Sequence, residues 1–307
     1  MSAPNSRKLP FSRVRRISVI AGHAFTQLVR MKVFYFLAIF ALIAIASNFF
    51  DLPQHQGSEA TGSHGMDVLR LIKSWSLGSM TLFSVVFGIS ATALLLPKDV
   101  EDRTLYTILA KPVPRLDYLM GKLLGVLLLL FVSLAMMDVL MTAMLQVRTS
   151  MVLSHQQDMA DYLKWDQPAR DSVRFETLAN GPTWGLQAAV AAVFLRSAIM
   201  ASVALLISTF SSSTLFTTIV GFLIYFIGHF QADALGGGDT GTSDAMRHLS
   251  MVISLVFPDF QLFNIIDAII QGKTIQLLEF GKLVAAACYY IIVYTVGSWF
   301  VFADKEF

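Results

Sequence analysis

Apolar residues in this chain gather into long unbroken runs, separated by shorter polar stretches. A helix needs about 20 mainly apolar residues to cross some 30 Å of hydrocarbon. Six runs approach or meet that need: 33–50, 76–96, 123–145, 188–209, 214–230 and 283–302. The first and fifth are a little short and are expected to borrow flanking residues. The pattern predicts an all-α integral membrane fold, one transmembrane domain over 1–307 with six spans. No small-residue cleavage site follows the first run, so a removed leader is not expected.

Ahead of the first span, Ile17, Ile20, Ala21, Ala24 and Leu28 recur at helical spacing, flanked by Arg13, Arg15, Arg16, Arg30 and Lys32. That predicts an amphipathic helix lying in the membrane interface. Near the other end, Pro258 and Asp259 read as a helix start, followed by Leu262, Ile265, Ile266, Ile269 and Ile270, with Gly272 as a stop. The stripe is too short to cross. Together with 249–257 it predicts short helices re-entering the outer leaflet before the sixth span. The polar segment 146–187 carries Trp165, Pro168 and Trp184, which suit either interface anchors or a small external cap.

Composition strengthens the membrane reading. The chain is 55% hydrophobic and 14% charged, with mean hydropathy +0.62, against roughly 25% charged residues in soluble domains. The net charge of +2 offers no bulk attraction for nucleic acid. Cys288, the only cysteine, excludes an intramolecular disulfide and is expected to pack in its apolar run. Charge also orients the chain. Residues 1–32 hold seven Lys or Arg and no acid, and the loop 97–122 adds Lys98, Arg103, Lys111, Arg115 and Lys122. Both termini and that loop are therefore expected in the cytoplasm, with 51–75, 146–187 and 231–282 outside. A multi-pass membrane protein is therefore expected, with lipid as a contact throughout.

The loop 97–122 is the most informative stretch. Asp99 can cap a helix starting near Val100, with Leu105, Ile108 and Leu109 as an apolar strip beside Tyr106. Pro112 would stop that helix, and Pro114 suits the start of the next. Such a strip could enter a groove on a soluble partner or lie on lipid. The run Glu101, Arg103, Thr104, Leu105, Leu109, Lys111-Pro112-Val113, Arg115, Tyr118, Gly121-Lys122 and Gly125 resembles the signature of ABC-two-type exporter permeases. Within them it is most similar to the nitrous-oxide-reductase maturation permease branch.

The resemblance implies a cytoplasmic coupling helix between spans two and three that docks on a separate ABC ATPase. Glu101, Arg103, Leu105, Tyr106, Ile108 and Leu109 would make that contact. It further implies two permease copies as a homodimer, two ATPase copies carrying ATP and Mg, outward transport, and a periplasmic protein as a further partner. Many members have Gly just before the Thr-Leu pair where this chain has Arg103, which could alter partner choice. Phe260, Phe263 and Asp267 are candidates for an outer gate.

Other chemistry finds little support. Gly272-Lys273-Thr274 mimics the end of a phosphate loop, but Asp267 stands where its first glycine belongs, and the stretch is expected outside. ATP must then be handled by another chain. Gly236-Gly237-Gly238-Asp239 imitates an intramembrane protease motif in a polar loop. The six histidines are dispersed, with no metal-ligand spacing. The alternative reading, an ion-driven secondary transporter, normally requires several intramembrane carboxylates and repeated halves. Asp138 stands alone and no repeat is visible. Asp138 and Arg196 each fall about 22 Å from the cytoplasmic side when counted along their runs, and are expected to pair.

Overall fold

The computed structural model describes residues 12–47, 66–101, 113–211, 213–236, 257–263, 265–272 and 276–304. Among them every regular element is helical: α1 (Arg13–Val29), α2 (Lys32–Ala46), α3 (Met66–Glu101), α4 (Arg115–Tyr162), α5 (Gln167–Asn180), α6 (Trp184–Phe210), α7 (Thr214–Gly236), a 3-10 turn (Phe260–Phe263), α8 (Ile265–Ile270) and α9 (Leu277–Asp304). Four stretches are long and apolar enough to cross a membrane, Met66–Leu96, Arg115–Tyr162, Gln167–Phe210 and Leu277–Ala303. A fifth is reached if α1 and α2, bent by 70° at their junction, count as one broken span. The apolar part of α7, Thr214–Phe230, stays short of that length, as its run did in the sequence.

The outer surface is apolar. Phe36, Ile39, Phe40 and Ile43 of α2, Leu215, Ile219, Leu223 and Phe226 of α7, and Ile292, Val296 and Phe300 of α9 are all exposed. Cys288 is exposed too, facing out of α9 instead of packing as expected. Small and polar side chains lie inside instead. Ser197, Ser202, Ser208, Thr217 and Ser298 are buried, and each hydroxyl donates to a carbonyl three or four residues back along the chain. Hydrocarbon offers no hydrogen bonds, so this self-satisfaction is what a bilayer demands.

The most buried helix is α6, packed between α3, α4, α7 and α9. Its Ala198, Ala201, Ser202 and Ala204 keep the neighbouring backbones close. Gly88 of α3 shows this, since an added Cβ would sit 3.4 Å from the Ser197 carbonyl.

One helix in particular extends well beyond its apolar run. α4 has 48 residues, continuing to Tyr162, and α5 folds back against it. Segment 146–187 is thus largely a helical hairpin. Thr177 Oγ1 donates to Gln156 Oε1 (2.9 Å), and Arg170 Nη1 bridges to Asp161 (2.6 Å). Trp165 lines the cleft between the two helices, whereas Trp184 is fully open at the start of α6. Hairpin, Met66, Gly272 and Leu277 share one end of the bundle, held by Arg70 Nε to Asn180 Oδ1 and Lys73 Nζ to the Ile269 carbonyl. The opposite end carries α1 and the basic residues around the start of α4.

Candidate functional site

The basic end is built on the first two turns of α4. Gly121 and Gly125 lack side chains where α1 crosses: an added Cβ would lie 2.6 Å from Ile20 Cβ and 2.6 Å from Ala24 Cβ respectively. This four-residue glycine spacing lets two helix backbones touch. The apolar stripe of α1 is therefore taken up by α4, and Ala24 and Leu28 are buried. The amphipathic helix expected from the sequence is present, with its apolar stripe turned to α4. Two of its arginines have a protein partner as well. Asp117, only 1% exposed, accepts from Arg13 Nε (2.9 Å) and from Arg16 Nη2 (2.7 Å).

One turn further, Lys122 Nζ meets Asp99 Oδ2 at 2.7 Å, with both side chains buried. The Tyr118 hydroxyl donates to the same carboxylate oxygen. Asp99 is consequently not the cap of a new helix. α3 runs through it to Glu101, and its carboxylate turns inward because two donors wait on α4. Arg115 Nη1 donates to the carbonyls of Phe302 and Ala303 near the end of α9, where a cation complements the helix dipole. Tyr118 stacks on Phe302, with centroids 6.0 Å apart and planes at 17°.

Residues 115–122 thus bind α1, α3 and α9 to α4 in one collar. Removing one partner from a buried pair of this kind typically costs about 3–5 kcal/mol. The collar grips both stems of the connection between α3 and α4. Of the predicted coupling residues, Glu101 ends α3, while Arg103, Leu105, Tyr106, Ile108 and Leu109 lie outside the described residues. Sequence reading missed Asp117, Tyr118 and Lys122 as a unit. The available signal was charge at the mouth of an apolar run, where an unpaired group is costly.

A second constellation lies toward the hairpin end. Asp259 Oδ1 accepts from the Gln261 N–H (2.9 Å), which starts the 3-10 turn, and Gly272, at φ +79°, follows α8. The start and stop read from the sequence are therefore at these residues, with a 3-10 turn ahead of α8. The chain crosses α7 at Gly228, where the Pro258 carbonyl occupies the space a Cβ would need. Phe260 and Phe263 are completely buried, and Asp267 is exposed. A cavity of about 780 Å³ opens between α3, α6, α7 and this segment, bordered by Arg196, Tyr225, His229, Phe260 and Asp267.

The structure does not bring Asp138 and Arg196 together. Asp138 accepts from Gln187 Nε2 (3.2 Å) and Thr142 Oγ1 (3.4 Å). Arg196 Nη2 donates to the Phe260 carbonyl (3.3 Å), with the guanidinium 6.0 Å from the Phe260 ring centroid. The level of Asp138 on α6 is that of Gln187, nine residues or about 13 Å from Arg196. Depth counted from the ends of apolar runs ignores this offset between helices. Among the described residues, no cluster of three side chains suited to a metal occurs.

No curated protein sequence matches the chain significantly. The family profile described as "ABC-2 family transporter protein" matches residues 18–307, from the middle of α1 through the end of α9. With an apolar exterior, helices long and apolar enough to cross a membrane and a profile match over nearly its whole length, the chain belongs to the ABC-2 transporter family as a multi-pass membrane subunit.

Proposed function

We propose that this chain is the permease half of an ATP-driven exporter, worked from below by a separate ATPase that grips residues 101–110. The observation carrying this reading is the collar. Asp117, Lys122, Asp99 and Arg115 fasten both stems of that connection to α1 and α9. A push on the connection would then move four helices as one body. Membership of the ABC-2 family supports an ATPase partner, and no phosphate loop is present in this sequence to replace it. Leu105, Ile108 and Leu109 enter a groove on the ATPase, with Glu101, Arg103 and Tyr106 at its rim setting register.

In this reading six spans cross the membrane, with α2 and α7 borrowing flanking residues. Both termini and the collar face the cytoplasm. Two permease copies pair with two ATPase copies, which hold ATP and Mg. The resemblance to the nitrous-oxide-reductase maturation branch favours a periplasmic partner. The hairpin suits one, because α4 continues 17 residues past its apolar run, about 25 Å. Phe260, Phe263 and Asp267 serve as the outer gate.

Leu105→Asp and Leu109→Asp test the central contact. Each is expected to abolish co-isolation of the ATPase while the chain still accumulates in the membrane fraction. Undiminished co-isolation with both would overturn the assignment. Transport that persists without ATP and follows an ion gradient would favour a secondary transporter instead.

A further inference from the structure

Arg196 is 5% exposed, sits near the middle of α6, and makes its short-range contacts to neutral groups, while Asp267 acts on it from beyond ion-pair distance. Nη2 reaches the Phe260 carbonyl, the guanidinium lies over the Phe260 ring, and Tyr225 stands beside it. Its Nε has no hydrogen-bond partner. Among the described residues no carboxylate comes within ion-pair distance of it. A buried guanidinium with no ion pair at contact distance is costly, and an arginine at mid-span costs about 2.5–3.5 kcal/mol even on insertion scales. Such a cation bordering a cavity of about 780 Å³ is half of an ion pair.

The walls say what the other half is attached to. Phe222, Phe226, Phe230 and Phe260 give the cavity an aromatic lining, and His229 stacks on Tyr225 with centroids 6.2 Å apart. Asp267 borders the same cavity and is exposed. An acid there repels polyanions but tolerates a ligand whose single negative charge is carried inward. Nucleotides and polyphosphates are thereby disfavoured.

We propose that this cavity binds an amphiphile with one acidic headgroup, the acid accepting hydrogen bonds from Arg196 and the apolar body lying against the aromatic wall. Calling that ligand the transported substrate rests on the export reading; the binding itself does not. Two sources share this chemistry, an anionic lipid of the surrounding bilayer and a free amphiphilic acid.

The test uses the full-length chain, without any ATPase, in nanodiscs of phosphatidylcholine, with radiolabelled dodecanoate as probe. Wild type is expected to bind saturably, and unlabelled dodecanol of equal chain length should compete poorly. Arg196→Gln should weaken binding about tenfold or more, the scale of a lost charged hydrogen bond. Arg196→Lys should retain most of it, and Asp267→Asn should tighten it. Val86→Trp fills the cavity from the α3 side and leaves Arg196 in the sequence, so it should abolish binding even if Arg196 variants fold poorly. Equal binding by wild type and Arg196→Gln, effective competition by dodecanol, or unchanged binding by Val86→Trp would each overturn the proposal. Adding phosphatidylglycerol to the discs separates the sources. Displacement of dodecanoate identifies a bilayer lipid and its persistence a free acid, and either result supports the site. Because no ATPase is present, failure here leaves the coupling reading intact, and failure of the Leu105→Asp test leaves this one intact.

Discussion

Asp99, Tyr118 and Lys122 show how little one residue's neighbours in sequence say about its role. Asp99 follows an apolar run and precedes two acids, which reads locally as a cap. Its partners are 19 and 23 residues away on the next helix, so only the fold reveals them. Their coupling is open to a double-mutant cycle. Lys122→Met strands a buried carboxylate and is expected to destabilise the protein by about 3–5 kcal/mol. Lys122→Met with Asp99→Asn removes both charges and should cost less than Lys122→Met alone, as read from denaturation in detergent. A double variant as unstable as the sum of the two singles would mean the pair is not coupled. Asp138 and Arg196 give the opposite case: having separate partners, they should show no rescue when Asp138→Arg is combined with Arg196→Asp, scored by membrane accumulation.

At the scale of elements, local chemistry was legible and extent was not. The start at Pro258 and Asp259 and the stop at Gly272 lie in residue types whose backbone preferences do not depend on distant packing. The apolar cores of α3, α4, α6 and α9 were equally plain, because hydrocarbon thickness sets a minimum run. Hydropathy is silent about a helix once it leaves lipid, so the continuation of α4 to Tyr162 and its return as α5 could not be read. Nor could the docking of α1, which depends on two glycines a hundred residues away. Gly125→Val should push α1 off α4 and raise the rate of trypsin cleavage at Arg13 to Arg16. Gly22→Val, whose added Cβ meets nothing within 4 Å, should leave that rate unchanged. Equal cleavage in both variants would show that α1 does not depend on this contact.

For the molecule as a whole, the account makes residues 101–110 a handle and the collar its mounting, with the binding cavity near the other end of the same helices. α3 links the two, since it carries Asp99 at the collar and Val86 at the cavity. The most direct measurement places a photo-crosslinking side chain at Leu109, and separately at Tyr162, in membranes that also hold the ATPase. An adduct with the ATPase from position 109 and none from position 162 is the predicted result. An adduct from 162, or none from 109 in an active complex, would contradict it.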